Sequence, residues 1–470
     1  MKVVVLAAGR SKRLKPIEDK NFLEFLGKPL IQLQLEQMAA AGLKDFIVVG
    51  GAHNLEKLRA LAKKMKPTFA VVEQKNLDEG MAGAVLSVEK LVKDDAMMVI
   101  SANDVVDVDA YKSVLSASKD KSFDAFLIGK KVDEYFPGGY LKVKPNGQIS
   151  GIVEKPGKGN EPSKMVNLVV HFYRNGKQFI NAVKKAKSAK DDRYEIALDN
   201  LMKENVKIKV VPYEGFWQAV KYPWHVLDLM DYFLGQIPKF FGVSASASER
   251  VRGAHMREKS GGKNRLGSAE IHAIGNNVTV AKSATIRGNV VLEEGVRVLD
   301  NAVIVGPAFI GKNTIVATNA LVRGSNVGAN CIVGFGTEVA RSFWGHDVWT
   351  HSNYIGDSVL GNDVSFGSGT VTGNLRLDEK NIMVTIQDEK IDSGRNKFGL
   401  FTGDHVRCGI NTNFMPGIKL GNNAFVGAGI TVAQDVPDDM FVYAKTELIM
   451  KPNLAQTNAK SREAMKKKLK

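Results

Sequence analysis

Residues 274–322 read IGNNVTVAKSATIRGNVVLEEGVRVLDNAVIVGPAFIGKNTIVATNALV. Aliphatic residues recur there at every sixth position: Ile274, Val280, Ile286, Leu292, Val298, Ile304, Ile310, Val316 and Val322. Four residues after each of the first eight stands a small or β-branched residue, from Val278 and Ala284 to Thr314 and Ala320. The register slips by one, resumes at Val327, Val333 and Val339, and returns as Thr402, Cys408, Phe414, Leu420, Val426 and Val432. A helix face repeats at about 3.6 and a strand face at about 2, so neither explains a sustained six. Hexapeptide repeats wind a parallel β-helix, the aliphatic residue filling the interior and the small residue fitting the turn. Cys408 falls on the aliphatic position and Cys331 on the small one, which makes both small buried hydrophobes rather than ligands or nucleophiles. Residues 341–354 and 375–400 break the pattern and are expected to be loops thrown out of a stiff coil, natural places for a site.

Upstream the pattern changes. Residues 2–6, 46–49, 69–72 and 97–100 are short β-branched runs, with helical patterns at 30–41 and 55–65 between them. Such βαβα alternation predicts a doubly wound α/β sheet whose ligand sits at the carboxyl ends of the strands. The loops after the first and fourth runs, Ala7-Ala8-Gly9 and Ser101-Ala102-Asn103-Asp104, are the candidate site loops. Small, polar and basic residues dominate about 240–268, as in a linker. The expected organisation is an α/β domain over 1–238, a linker over 239–269, a β-helix over 270–450 and a basic tail over 451–470.

The whole chain has 470 residues, 44% hydrophobic and 24% charged, so it can bury sizeable cores and is neither disordered nor fibrous. No apolar run approaches the roughly 18 residues needed to span a bilayer. Two cysteines exclude a disulfide framework, and a cytoplasmic setting is the expectation. The net charge of +15 lies partly in the linker and the tail, neither of which interleaves aromatics. Solvated basic segments explain it better than nucleic-acid binding.

The turn after Leu6-Ala7-Ala8-Gly9 is followed by Arg10, Lys12, Arg13, Lys15 and Lys20, a set suited to cradling a polyphosphate. It is neither a Walker A loop nor a dinucleotide fingerprint. The segment LAAGRSKRLKPIEDKNFLEFLGKPLI resembles the opening signature of sugar-1-phosphate nucleotidyltransferases, and the match continues to about residue 235. The resemblance implies that Leu6, Ala8, Gly9, Gln74 and Gly80 bind the nucleotide. It makes Arg13 and Lys20 the catalytic basic residues and Asp104 the ligand of Mg²⁺. Gly139, Glu154 and Asn167 would hold the sugar. Sugar-phosphate attack on the α-phosphorus of a nucleoside triphosphate needs mainly positioning and charge neutralisation, which these residue types supply. The chain departs from that signature at Ser11 and Lys12, at Asp19, and at Ala219, where a second acidic ligand is usual. Beside it, Gln218 would be a weak substitute.

The segment HSNYIGDSVLGNDVSFGSGTVTGNLRLDEKN, continuing to about 440, resembles the acetyltransferase half of bifunctional enzymes that make UDP-N-acetylglucosamine, the archaeal type in particular. The resemblance implies a left-handed β-helix, acetyl-CoA as co-substrate and a homotrimer with sites shared between coils. His351 would be the general base, since imidazole titrates near neutrality. Tyr354, Asn374, Lys380 and Arg323 would hold the sugar phosphate. Ser365 and Ala340 depart from that pattern, with Arg341 beside the latter. His346 lacks such company and is expected to be a solvated side chain. Taken together, the expected activity is acetylation of glucosamine-1-phosphate or galactosamine-1-phosphate and transfer of a sugar-1-phosphate to UTP or dTTP. The alternatives are an acetyltransferase with a degenerate sugar-nucleotide-binding first half, and a non-catalytic β-helix scaffold.

Overall fold

The computed structural model describes residues 1–93, 95–188, 192–241, 272–454 and 458–468. In the first half, strands Lys2–Leu6, Phe46–Gly50, Phe69–Glu73 and Met97–Ser101 lie parallel, with Lys2–Leu6 between Phe46–Gly50 and Met97–Ser101. Lys2–Leu6, Phe46–Gly50 and Met97–Ser101 are buried because helices Leu30–Ala40 and Leu55–Lys64 and their neighbours cover the sheet, while Phe69–Glu73 is a half-exposed edge strand. The sheet has nine strands and continues antiparallel through Met165–Tyr173 to Ala125–Lys131 and Gly139–Val143. It is therefore mixed rather than wholly parallel. The strand order reverses beside Lys2–Leu6, where Leu6 faces Ser101 in register. A crevice outside the carboxyl ends opens at such a reversal.

The second half is a three-faced coil. Strands of two to three residues stack in parallel on each face, and the sixfold aliphatic positions line one continuous core from Val290 to Val436. Thr402, Cys408, Phe414, Leu420, Val426 and Val432 are all buried there. Cys331 and Cys408 are buried as expected, and burial pushes the Cys331 thiol up to about 12 and the Cys408 thiol higher still.

Residues 341–354 are not a loop. Phe343–Trp344 is a regular strand of one face, and Trp349 bridges Ile332 and Ser365 on the next. Interior residues Leu292, Ile310, Val327, Trp344 and Leu360 follow one another at 18, 17, 17 and 16 positions. The corners absorb the missing residues, and the indole of Trp344, fully buried, fills the interior where an aliphatic residue would stand. Residues 375–400 do leave the coil. They form the hairpin Met383–Ile386 and Glu389–Asp392, whose Ile382, Val384 and Ile386 are buried.

That hairpin helps to join the halves. Outward residues Val291, Phe309, Phe343, Val359 and Phe401 form one column in register on a single face of the coil. They are buried against Phe25, Leu30 and helix His225–Gly235 of the first half. Phe25 packs between Phe233 and Phe343 with the rings tilted, centroids 5.2 and 5.0 Å away. Asn326, in the same column, accepts from Leu26 N–H at 3.0 Å and donates to Glu24 C=O at 3.3 Å. Arg395 of the insertion pairs with Asp228. His346 is no solvated side chain: its Nε2 meets a Glu24 carboxylate oxygen at 3.1 Å and its Nδ1 accepts from Ala329 N–H at 3.0 Å. The expected linker lies almost wholly outside the described residues. The tail forms an exposed helix, Ala459–Lys468.

Candidate functional site

Two clusters of expected site residues emerge, one in each half. In the first, the loop after Leu6 and the loop after Ser101 meet. Ala102 N–H donates to Leu6 C=O at 3.1 Å, and Asn21 and Asn54 both donate to Ala7 C=O. These bonds fix a turn whose next residues, Gly9 and Arg10, lie open to solvent. Ser11 sits at φ 49°, ψ 28°, in the left-handed region that favours glycine. Arg10 is paired with Asp78 across the mouth.

Lys20 is 6% exposed and its Nζ donates to Val220 C=O at 3.1 Å. Burial lowers its ammonium to about 8 against the opposing pull of Asp104 and Asp19, with Arg13 and Lys221 adding to the lowering. Asp104 is held on both sides: Trp217 Nε1 donates to Oδ1 at 3.0 Å, and Val169 N–H also bonds the carboxylate. Burial raises its pKa. Strand Asp104–Val106 pairs with Trp217–Ala219, which sets Ala219 directly opposite Asp104. Gln218 pairs with Val105, projects to the other face and donates to Ala219 C=O, so it does not stand in for an acid beside Asp104.

Sequence reading missed Lys221. Its Nζ donates to Pro137 C=O at 2.9 Å and lies 3.9 Å from the centre of the Phe136 ring. Burial lowers it to about 8, against the pull of Asp104. The residues around Asp104 fit a carboxylate-held Mg²⁺ poorly. The facing position is a buried methyl, one carboxylate oxygen already accepts from an indole, and two ammoniums flank it. Among the described residues no group of three His, Cys, Asp or Glu could hold a metal.

Gln74 is 4% exposed, and its Nε2 donates to Asn76 C=O and Gly80 C=O, both at 2.9 Å. Two carbonyls fix which amide atom is nitrogen, so Oε1 is the atom left for a ligand. A side chain at Gly83 would put its Cβ 2.7 Å from that Nε2. Gly80 itself has φ +55°.

Gly139 and Glu154 are cross-strand partners, and a Cβ at Gly139 would come 3.1 Å from Glu154 Oε2. Val166 pairs with Tyr140, which brings the adjacent Asn167 to the same end of the sheet. Asn167 Oδ1 accepts from His171 Nε2 at 2.9 Å, while His171 Nδ1 accepts from Tyr194 O–H at 2.8 Å. Burial lowers the His171 imidazole to about 3, so the ring is neutral and its single proton sits on Nε2. His171, Tyr173 and Tyr194 lie outside any motif, and no sequence signal marks them.

In the second cluster Tyr354 stacks in register on Glu338, outward on one face of the coil. Arg323 bonds Glu338 through Nε at 2.8 Å and through its terminal nitrogen at 2.7 Å. Asn374 Nδ2 donates to Tyr354 O–H at 3.1 Å and to Asp357. Asp357, 1% exposed, holds Arg341 by two bonds at 2.7 and 2.6 Å. Gly356 makes the arrangement possible, since a Cβ there would lie 2.6 Å from Tyr354 O–H and 2.7 Å from Asn374 Nδ2. Asp357, Arg341 and Gly356 thus complete this hydrogen-bonded cluster. Lys380 is exposed at the start of the insertion.

His351 stands apart from that cluster. Asn353 Oδ1 accepts from its N–H at 2.7 Å and Thr337 Oγ1 donates to its C=O at 2.7 Å, which fixes the backbone and leaves the ring exposed. The ring borders a cleft of about 430 Å³ lined by Ala317, Ile332, Phe335, Trp349 and Ser352. Among the described residues no hydrogen bond links the His351 ring to Tyr354, Asn374 or Lys380.

The chain matches the nucleotidyl transferase family model over residues 2–220. It is 29% identical over 443 residues to a bifunctional sugar-1-phosphate nucleotidylyltransferase/acetyltransferase of Sulfurisphaera tokodaii, covering 93% of this chain and 98% of that one. It is 29% identical to the bifunctional protein GlmU of Methanococcus maripaludis and 28% identical to that of Methanocaldococcus jannaschii, each over 96% of this chain and 99% of the relative. A crystal structure of UDP-glucose pyrophosphorylase complexed with UDP-glucose covers 50% of this chain, and this chain 98% of it, at 21% identity and a TM-score of 0.44. Residues 2–220 thus match the nucleotidyl transferase model, and along nearly its whole length the chain is similar to bifunctional sugar-1-phosphate nucleotidylyltransferase/acetyltransferases.

Proposed function

We propose that the chain is a bifunctional transferase of sugar-nucleotide synthesis. Its second half acetylates glucosamine-1-phosphate or galactosamine-1-phosphate from acetyl-CoA. Its first half transfers a uridylyl or thymidylyl group from UTP or dTTP to the sugar-1-phosphate, releasing pyrophosphate. The observation that carries the reading is the crevice at the strand reversal, where a backbone turn, buried ammoniums and the end bearing Glu154 and Asn167 converge. Likeness to the bifunctional relatives along nearly the full chain supports assigning a transferase to each half.

In this reading the Gly9 turn and Arg13 receive the triphosphate and Lys20 bridges the reacting phosphates. Gln74 Oε1 accepts from a ring N–H of the base, which favours UTP or dTTP over CTP or ATP, whose bases lack that proton. The Asn167 amide, its oxygen held by His171, donates to a sugar hydroxyl, and Glu154 accepts from another. In the coil, His351 takes the proton of the attacking amine. Tyr354, Asn374, Arg323 and Lys380 hold the sugar phosphate of a substrate that reaches His351 across the junction of two coils. Exposed Phe335, Trp349, Ile410 and Phe425 support a homotrimer, because a neighbouring coil would cover them. No described helix is long and apolar enough to cross a membrane, and we place the enzyme in the cytoplasm.

The test is pyrophosphate release with UTP and N-acetylglucosamine-1-phosphate, repeated with dTTP and glucose-1-phosphate, beside coenzyme A release with glucosamine-1-phosphate. Both products are expected. Coenzyme A release without pyrophosphate from any pair would reduce the first half to a binding module.

A further inference from the structure

We propose that Lys221 is a phosphate-contacting residue of the nucleotidyl-transfer centre, and that with Lys20 it neutralises the leaving pyrophosphate so that transfer proceeds without a carboxylate-held divalent cation. The inference rests on the nucleotidyl-transfer reading above and adds a residue and a metal requirement to it.

Three observations carry it. The position facing Asp104 across the strand pair is Ala219, 3% exposed, so this pair of strands offers one carboxylate, the minimum of the one or two that Mg²⁺ takes beside substrate phosphates. That carboxylate already accepts from Trp217 Nε1 and Val169 N–H. The two ammoniums acting on Asp104 are built in from separate elements. Lys20 is tied to Val220 C=O at 3.1 Å, and Lys221 is tied to Pro137 C=O at 2.9 Å with its charge over the Phe136 ring. Each ammonium has three hydrogens and spends one on a carbonyl, which leaves donors for a ligand. The other charged groups near Lys221 are Arg13, Glu154 and Lys155. A triphosphate entering the crevice therefore meets Arg13, Lys20 and Lys221 around Asp104, a surplus of positive charge.

The chemistry needs no more than that. An oxygen of the sugar phosphate bonds to the α-phosphorus as the bond from that phosphorus to its β-bridging oxygen breaks. The bridging oxygen leaves with the electron pair as part of pyrophosphate, and no oxidant, reductant or net proton transfer is required. Negative charge grows on the leaving oxygen and on the oxygens around the α-phosphorus, where fixed ammonium donors act most strongly.

The experiment measures pyrophosphate release by the full-length protein in excess Mg²⁺ and in excess EDTA. Wild type is expected to keep at least about a tenth of its rate in EDTA. Lys221→Ala should lose roughly 10²-fold under that condition, the usual scale for one transition-state donor, and Lys221→Arg should recover part of the loss. Abolition of wild-type turnover by EDTA, or an unchanged rate for Lys221→Ala in both conditions, would overturn the proposal. Should wild type release no pyrophosphate at all, the nucleotidyl-transfer reading fails by itself. Calorimetric binding of inorganic tripolyphosphate in EDTA then decides the contact: at least tenfold weaker binding by Lys221→Ala upholds it, and equal affinity removes it. Lys221→Met keeps the stem over Phe136 and replaces the alanine variant if thermal unfolding shows that one misfolded.

Discussion

His171 Nε2 donates to Asn167 Oδ1 at 2.9 Å from a ring that solvent does not reach. Tyr194 and Tyr173 hydroxyls lie 2.8 and 3.2 Å from the other ring nitrogen, so the imidazole is fixed from behind and orients the asparagine amide. In the proposed function Asn167 serves the sugar, and its Nδ2 is the atom left for a substrate. Replacing His171 with Phe should raise the KM for the sugar-1-phosphate about tenfold, the worth of one well-placed hydrogen bond, with a smaller change in kcat. Equal KM values in steady-state assays would show that Asn167 does not depend on the ring.

The same histidine sets an acid limit. Burial holds its folded-state pKa near 3, while an unfolded histidine titrates near 6.5. A depressed folded value means that its contribution is complete above about pH 6.5 and is lost as pH falls toward 3. Chemical denaturation at pH 7, 5 and 4 should show a loss on the order of a few kcal/mol. The loss should be smaller in His171→Phe, and identical curves would discount the buried ring.

Phe25 is fully buried between a helix of the first half and the outer face of the coil. Phe25→Ala should cost about 3–5 kcal/mol, the range for deleting a buried phenyl ring. Because the cost falls on the junction, scanning calorimetry should resolve one wild-type transition into two. A single transition at lowered temperature would mean that the halves stay coupled through the hairpin and Arg395.

Ser11 holds a left-handed backbone at φ 49°. A non-glycine residue pays about 1–2 kcal/mol there, and glycine pays about half of that in unfolded-chain entropy. Ser11→Gly is therefore expected to stabilise the protein by about 0.5–1 kcal/mol, read as a higher denaturant midpoint. A lower midpoint would show that the 3.4 Å contact from Lys20 N–H to Ser11 Oγ outweighs the strain.

His351 has an exposed ring and a backbone fixed by Asn353 and Thr337. His351→Ala should abolish coenzyme A release while the thermal midpoint and oligomeric state stay unchanged, since the ring packs against no core. Loss of the oligomer in light scattering would give the ring a structural part as well.

The coil was legible because a β-helix repeats its demands: every sixth residue meets the same interior, so one physical requirement is written many times. The strand runs of the first half were legible for a similar reason, since buried parallel strands show as short β-branched runs. The segment 341–354 was misread because Trp344 satisfies the interior by volume, not by residue type, and the corners shorten the eighteen-residue coil by one residue before it and two after it. Residues 375–400 were read as a charged loop because alternating Ile382, Val384 and Ile386 are diluted by the charges around them. The column Val291, Phe309, Phe343, Val359, Phe401 carried a readable signal, apolar residues just before the interior positions on a single face.

The sequence by itself determined the two architectures, through local periodicity, and it marked the turn after Leu6 as a candidate; Arg13, Lys20, Asp104 and His351 were singled out by the family resemblance of the segments that hold them. Only the tertiary structure decided what surrounds those residues. His346 reaches Glu24, and Lys221 comes within electrostatic range of Asp104, through packing between distant segments, while His171 bonds Asn167 four residues away across a register break in their own strand. Charge and hydrogen bonding act through space over a few ångströms, whereas sequence records only neighbours along the chain. The site's electrostatic balance is therefore a property of the fold.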